Sequence, residues 1–209
     1  MAEPMGLNIT FIILMVIIFY FAVVLHEVSH GLVALFLGDH TARVAGRLTL
    51  NPMAHIDPLG TIIFPLLLIL SGSRFIVGWA KPVPVNFMNL HNPKRDMIWV
   101  GLAGPATNFF IAVLLALILK ILPVLSLKTV FFLKLAIYIN LLFAIFNLIP
   151  VPPLDGSRIM TGLLPPRIAV AYASLEPIGM VILVFLLFAG LFHRVLLPAV
   201  EIIIRILGV

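Results

Sequence analysis

The chain of 209 residues has no cysteine, and only 10% of it is charged. The first absence excludes disulfides and thiolate metal sites, so any metal has to be held by His, Asp, Glu or backbone oxygen. The second excludes a water-soluble globular domain. With 63% hydrophobic residues and a mean hydropathy of +1.25, the chain carries more apolar surface than a soluble core of this length uses. Acidic residues are scarce too, 8 against 13 Lys and Arg, which leaves a formal charge of +5. The basic residues are scattered through loops and helix ends, with no basic block and no interleaved aromatics. They read as topology signals rather than as a nucleic-acid surface. A cleavable leader is also missing from the pattern: "MAEPMGLNIT" has neither a basic n-region nor a small-residue cleavage site. No repeat, low-complexity tract or separate soluble domain interrupts the sequence, and residues 1–209 read as one integral membrane domain.

What is present is a series of apolar runs. Leu7 to Leu37 would be about 46 Å long as a helix, more than a ~30 Å bilayer core, so tilt or protrusion is expected before Gly38-Asp39 ends it. Asp96 to Leu122 and Thr129 to Leu148 predict two more long helices. Pro177 to Phe192 and Val195 to Val209, separated only by His193-Arg194, read as one kinked span or as a span plus a surface helix. Gly60 to Leu70 is short for a span and holds Pro65, which favours a re-entrant or short tilted segment. In Thr41 to Leu50 polar and apolar residues alternate, which predicts a strand, with Lys81 to Leu90 as a second extended segment. The expected fold class is an all-α polytopic membrane protein with a small membrane-associated β element and about four to six membrane segments. If Gly60 to Leu70 does not cross, Arg43, Arg47, Arg74, Lys81, Lys94, Arg95, Arg158 and Arg167 share one side, against Lys120 and Lys128 on the other. The positive-inside rule makes the Arg-rich side cytoplasmic.

Inside the first run lies "HEVSH", His26 to His30. Ionisable side chains are costly in hydrocarbon, and a membrane helix that holds three within five positions has a use for them. Histidines at i and i+4 share a face and can reach one ion, while Glu27 is displaced enough to act on water beside it. A hydrolytic zinc normally has three protein ligands, so a third is needed at the same depth. Asp155, in "FNLIPVPPLDGSR", is the candidate: Pro150, Pro152 and Pro153 stop the third helix and Gly156 permits a sharp turn. Taken alone, the same residues describe an ordinary Asp-Gly turn at the membrane surface; falling on the same side as HEVSH is what favours a ligand. The histidines lie about 12 Å inside the cytoplasmic end of their helix. On the second helix "GLAGPATN" puts Gly104, Pro105 and Asn108 at a similar level, where Gly101 and Gly104 allow close helix approach and Pro105 frees a carbonyl. His55 and Asp57 in "NPMAHIDPLG" read as a loop hydrogen-bond network ahead of a second metal pair. His40, His91 and His193 read as interfacial, and Glu176 as a helix-start charge.

Together, in this order and spacing, "HEVSH", "GLAGPATN" and "NLIPVPPLDG" resemble the site-2 protease family of intramembrane zinc metalloproteases. "LTLNPMAHIDPLGT" and "GWAKPVPVN" resemble its compact prokaryotic branch, and the similarity runs from about Leu25 to Thr161. The resemblance implies one Zn2+ held by His26, His30 and Asp155, with Glu27 as general base and Asn147 as an oxyanion contributor. As an isolated residue, Asn147 reads as a helix-end hydrogen-bonder. The resemblance also implies a three-helix catalytic core, within about 7–161, followed by C-terminal helices within about 177–209. Neither a separate span before the catalytic helix nor a PDZ or CBS regulatory domain is expected.

The implied function is hydrolysis of peptide bonds within or near transmembrane segments, in regulated intramembrane proteolysis. The setting would be a prokaryotic cell membrane with the active site toward the cytoplasm; the partners would be transmembrane substrates and the lipid bilayer, not nucleic acid. The Thr41 to Leu50 strand is expected either to take an unwound substrate on its edge or to pair only with Lys81 to Leu90. Two other classes stay open. A metal-ion transporter would use the same His/Asp cluster but gives no reason for Glu27. A non-catalytic membrane-protein binder would be marked by a missing ligand or base.

Overall fold

The first apolar run forms α1 (Ile9–Phe36), 28 residues without an internal proline. The computed structural model describes residues 9–72, 80–122 and 124–209; Arg74, used above for orientation, lies outside them. α1 stops where the sequence predicts: Gly38 takes a φ of 108°, and the Asp39 amide donates to Ala34 O at 2.9 Å, closing the orphaned carbonyls of the last turn. Asp39 is fully buried. Its carboxylate accepts from Thr41 N, Thr41 Oγ1, Asn86 N and Asn89 Nδ2, fastening two loops to the end of α1.

The expected β element is corrected here. Thr41 to Val44 is one helical turn, α2 (Thr41–Val44), and among the described residues there is no strand. The period-2 pattern lost to local bonding: Asp39 caps the turn through Thr41 N, and Val44 N and Ala45 N close back on His40 O and Thr41 O. The second extended segment, Lys81 to Leu90, stays irregular up to Asn86 and then makes a 3-10 turn, Phe87–Asn89. Pro82 and Pro84 have no N–H to give a ladder. The two segments meet through a side chain instead, Arg47 Nη2 donating to Lys81 O at 2.8 Å and Pro82 O at 3.2 Å. With the strand goes the expected substrate-binding edge.

Between those loops a π-helical turn, Pro58–Ile63, runs into α3 (Phe64–Leu70). Asp57 caps it by accepting from Leu59 N and Gly60 N, both at 2.9 Å. Pro58–Leu70 is about 20 Å of apolar helix, shorter than a membrane core, and Leu59, Ile63, Leu66, Leu67, Ile69 and Leu70 are exposed.

α4 (Pro93–Ile121) starts with proline in its first turn, and Asp96 Oδ2 reaches back to accept from Asn92 N at 2.7 Å. α5 (Leu127–Asn147) is capped by Ser126, whose Oγ accepts from Thr129 N. α4 packs against both α1 and α5, and α1 also meets α5. Small residues set the approach: Ala112 and Ala116 of α4 are buried against Ile137 and Leu141 of α5. After the proline loop come α6 (Asp155–Leu163), α7 (Pro166–Ala173) and α8 (Glu176–Phe188). α6 packs on α4. A π-helical turn, Phe192–Leu196, leads into α9 (Leu197–Leu207), which lies on α5 and adds Val200 to its core. The break in this last region falls at Ala189-Gly190, and His193-Arg194 belong to the helical turn that follows.

Three helices, Phe11–Phe36, Pro93–Ile121 and Leu127–Asn147, are long and apolar enough to cross a membrane, and a fourth span results if α7 and α8, bent by 70°, count as one. The chain is an integral, mainly helical membrane protein, and the three candidate spans among the described residues, or four with the bent pair, fall below or just reach the four to six expected.

Candidate metal centre

One turn of α1 presents His26 and His30 to the face of α4, and both are buried. His30 Nδ1 lies 2.6 Å from Val100 O. A carbonyl only accepts, so Nδ1 carries a proton and Nε2 is the ring nitrogen turned toward the site. His26 Nδ1 lies 2.6 Å from Asn108 Oδ1. The Asn108 amide is oriented by its own donors, Nδ2 giving to Ala22 O at 3.1 Å and to Asn140 Oδ1 at 2.9 Å, so its oxygen faces His26 and fixes the same tautomer. Asn140 is steadied in turn by donating to Ala136 O.

Both Nε2 atoms point at Asp155, the first residue of α6. The edges of the triangle are 3.1 Å between the two Nε2 atoms, 3.0 Å from His26 Nε2 to Asp155 Oδ2 and 3.2 Å from His30 Nε2 to the same oxygen. Asp155 Oδ2 is buried and has no hydrogen-bond partner. Two imidazole nitrogens and a carboxylate oxygen this close together form a donor set that one cation can bridge. A tetrahedral zinc with bonds of about 2.0–2.1 Å needs ligand atoms roughly 3.3 Å apart, which the triangle nearly matches. These three side chains are the group among the described residues that could hold a metal ion.

The surroundings fit the same demand. A Cβ on Gly104 would fall 2.5 Å from His26 Cε1 and Nε2 and against His30 Nε2, so only glycine lets α4 pass this close. Gly101 in turn approaches Ile159 and Asp155 O of α6. Gly156 serves close approach rather than a special turn: its φ is not positive, and a Cβ there would strike the carbonyls of Leu148 and Ile149.

Glu27, one residue from His26, stands outside the triangle and accepts from Val83 N at 2.9 Å through Oε2. Asn147 is buried, but its Nδ2 donates to Phe143 O one turn back at 3.0 Å, the bond of a helix-end asparagine. His55 and Asp57 bond separately within the loops: His55 Nε2 bonds Thr49 O at 2.8 Å, and Asp57 caps the next helix. Glu176 opens α8 and pairs with Arg158.

Residues 123–190, which hold Asn147 and Asp155, match the model of peptidase family M50. The chain is 38% identical over 182 residues to "Putative zinc metalloprotease YwhC" of Bacillus subtilis (strain 168), covering 83% of this chain and 80% of that one. The chain belongs to peptidase family M50. Membership of M50, the site-2 protease family, makes it a metalloprotease with zinc as cofactor. It is also 32% identical to "Putative zinc metalloprotease Rip2" of Mycolicibacterium smegmatis, over 81% of this chain and 64% of that relative. For the protein of the same name from Mycobacterium tuberculosis (strain H37Rv) the identity is 32%, over 79% and 62%. The chain thus spans a little under two thirds of the length of these two mycobacterial relatives. No solved structure matches it.

Sequence reasoning missed the carbonyl of Val100, the amide of Val83 and Asn140. Asn140 left a signal, a lone amide in the apolar run "LKLAIYINLLFAIF", since a side-chain amide in a span seeks a partner across the helix interface.

Proposed function

We propose that this M50 protease is an intramembrane endopeptidase that hydrolyses peptide bonds within or near transmembrane segments of other membrane proteins. The observation that carries the reading is the convergence of His26 Nε2, His30 Nε2 and Asp155 Oδ2 beside a helix able to span the bilayer. In this reading those three residues hold one Zn2+ per chain. Bound there, zinc supplies a Lewis acid that polarises the scissile carbonyl and acidifies water. Glu27 takes the proton from the attacking water through Oε1, the oxygen not bonded to Val83 N, and returns it to the leaving amine. Asn147 serves as the oxyanion donor once its amide leaves Phe143 O; one such donor typically contributes about 10² to 10³ in rate.

Depth supports the substrate class. His26 and His30 lie inside α1, well before its end at Phe36, in a helix long and apolar enough to span the bilayer, so the scissile bond has to come to that depth, as a transmembrane segment does and a soluble loop does not. Regulated proteolysis at the cytoplasmic face of a prokaryotic cell membrane belongs to the same reading. It is supported by Arg43, Arg47 and Lys81 between α1 and α4, by Lys94 and Arg95 in the first turn of α4, and by the bacterial relatives.

The test is the metal content of purified wild type, Asp155→Ala and Glu27→Gln by elemental analysis, with cleavage of a quenched-fluorescence transmembrane peptide measured beside it. About one zinc is expected in wild type and Glu27→Gln, and much less in Asp155→Ala. Cleavage is expected in wild type alone. Zinc retained without Asp155 would remove it from the ligand set. Full cleavage by Glu27→Gln would end its role as base.

A further inference from the structure

Glu27 is held by a backbone amide 56 positions away, and neither chain neighbour of that residue has an amide hydrogen. In "KPVPV", Pro82 and Pro84 have no N–H, so Val83 carries the one amide hydrogen between Lys81 and Val85. Flanking prolines also preset an extended backbone, because each fixes its own φ and restricts the residue before it.

The segment is seated from three directions. Arg47 is 8% exposed and spends Nη2 on the carbonyls of Lys81 and Pro82. Lys81 N donates to His55 O at 2.9 Å, while the buried His55 ring is tied to Thr49 O. At the other end Asn86 N is fixed by Asp39. Beneath it, α1 makes room at Gly31, one turn after Glu27. A Cβ there would fall 2.6 Å from Leu48 Cδ2 and 2.7 Å from Val83 Cγ1.

We infer that Pro82-Val83-Pro84 is a positioning strap for the general base: the Val83 amide holds Glu27 Oε2 and leaves Oε1 as the oxygen that receives the proton. Arg47, His55 and Gly31 act through the strap rather than on substrate. The inference rests on Glu27 being the base. A carboxylate on a flexible stem otherwise samples several rotamers, and misplacing a reacting group by about 1 Å can cost on the order of 10² in rate.

Val83→Pro removes the hydrogen and keeps an extended backbone; Val83→Ala keeps the hydrogen and loses the side chain. With the same peptide, Val83→Pro is expected to have a kcat at least about tenfold below Val83→Ala, with KM within about threefold and zinc content unchanged. Equal kcat values, or loss of zinc in Val83→Pro, would overturn the strap. Glu27→Gln, run alongside, separates the two failures. Full cleavage there removes the base assignment itself, whereas its inactivity beside a fully active Val83→Pro removes only the strap. A second measurement needs no substrate: hydrogen exchange at the Val83 amide of 15N-valine protein, in wild type and Glu27→Ala. Faster exchange in Glu27→Ala is expected, and an unchanged rate would overturn the contact.

Discussion

His26 and His30 are held from inside the helix bundle, whereas Glu27, next to His26 in sequence, is held from the loops. The imidazoles take their second bonds from α4, through Asn108 Oδ1 and Val100 O. Both partners move only if a long, packed span moves. The glutamate takes its bond from Val83, in a segment fastened by side chains of other loops. The difference teaches that metal binding and proton transfer have separate supports in this protein. Damage to the bundle should release the metal, and damage to the loops should slow the reaction with the metal still in place.

Gly104→Ala should break the bundle side most severely. Its Cβ would occupy the space against both Nε2 atoms, so zinc content is expected to fall from about one per chain to near none, together with cleavage; elemental analysis checks it. A smaller effect is expected at the next layer. Asn108→Leu removes the acceptor that orients His26, and loss of such a partner typically weakens metal affinity about 10- to 100-fold. Asn108→Asp, which keeps an acceptor for Nδ1–H, should retain most of it, and competition with a zinc chelator would measure both.

The mildest prediction sharpens the loop side, and it depends on pH. Burial opposes the charge of Asp39, but hydrogen bonds from the Thr41 and Asn89 side chains and the Asn86 and Thr41 amides outweigh it and hold the carboxyl below its ordinary range. A carboxylate whose folded pKa lies below its unfolded value stabilises the fold above the unfolded pKa, about 3.9. That contribution is lost as pH falls through the lower folded value. Asp39→Asn should therefore lower the melting temperature at pH 7 by a few degrees, roughly the effect of about 1 kcal/mol. The gap to wild type should close as the pH falls through the folded pKa, below about 4. A gap unchanged at low pH would mean that the charge of Asp39 is not what fastens the loops.

Much of the site was legible because membranes make polar residues conspicuous. HEVSH stands out in an apolar helix, and helical spacing alone puts its histidines on one face. Asp155 was legible through the prolines that stop α5. The β element was misread because a period-2 pattern over ten residues competes with local capping, and Asp39 with its four hydrogen bonds decided for a turn. Gly156 was misread for a related reason: a glycine needed for close approach looks in sequence like one needed for a turn. Asn147 was legible as a helix-end amide, and its bond to Phe143 O is that of one.

By itself, the sequence determined that the chain is a helical membrane protein without thiol chemistry, where its three long helices run, and that a His-Glu-His turn lies within the first. These follow from local composition and from period, which act over one or two turns. Only the tertiary structure decided that Asp155 meets both imidazoles and that Asn140 steadies Asn108. It alone decided that the single amide hydrogen of Pro-Val-Pro rests on Glu27. Such contacts join residues tens of positions apart, and they depend on how closely two helices or a loop and a helix approach. That distance is set at Gly104 and Gly31 by the absence of a side chain, which no local pattern records.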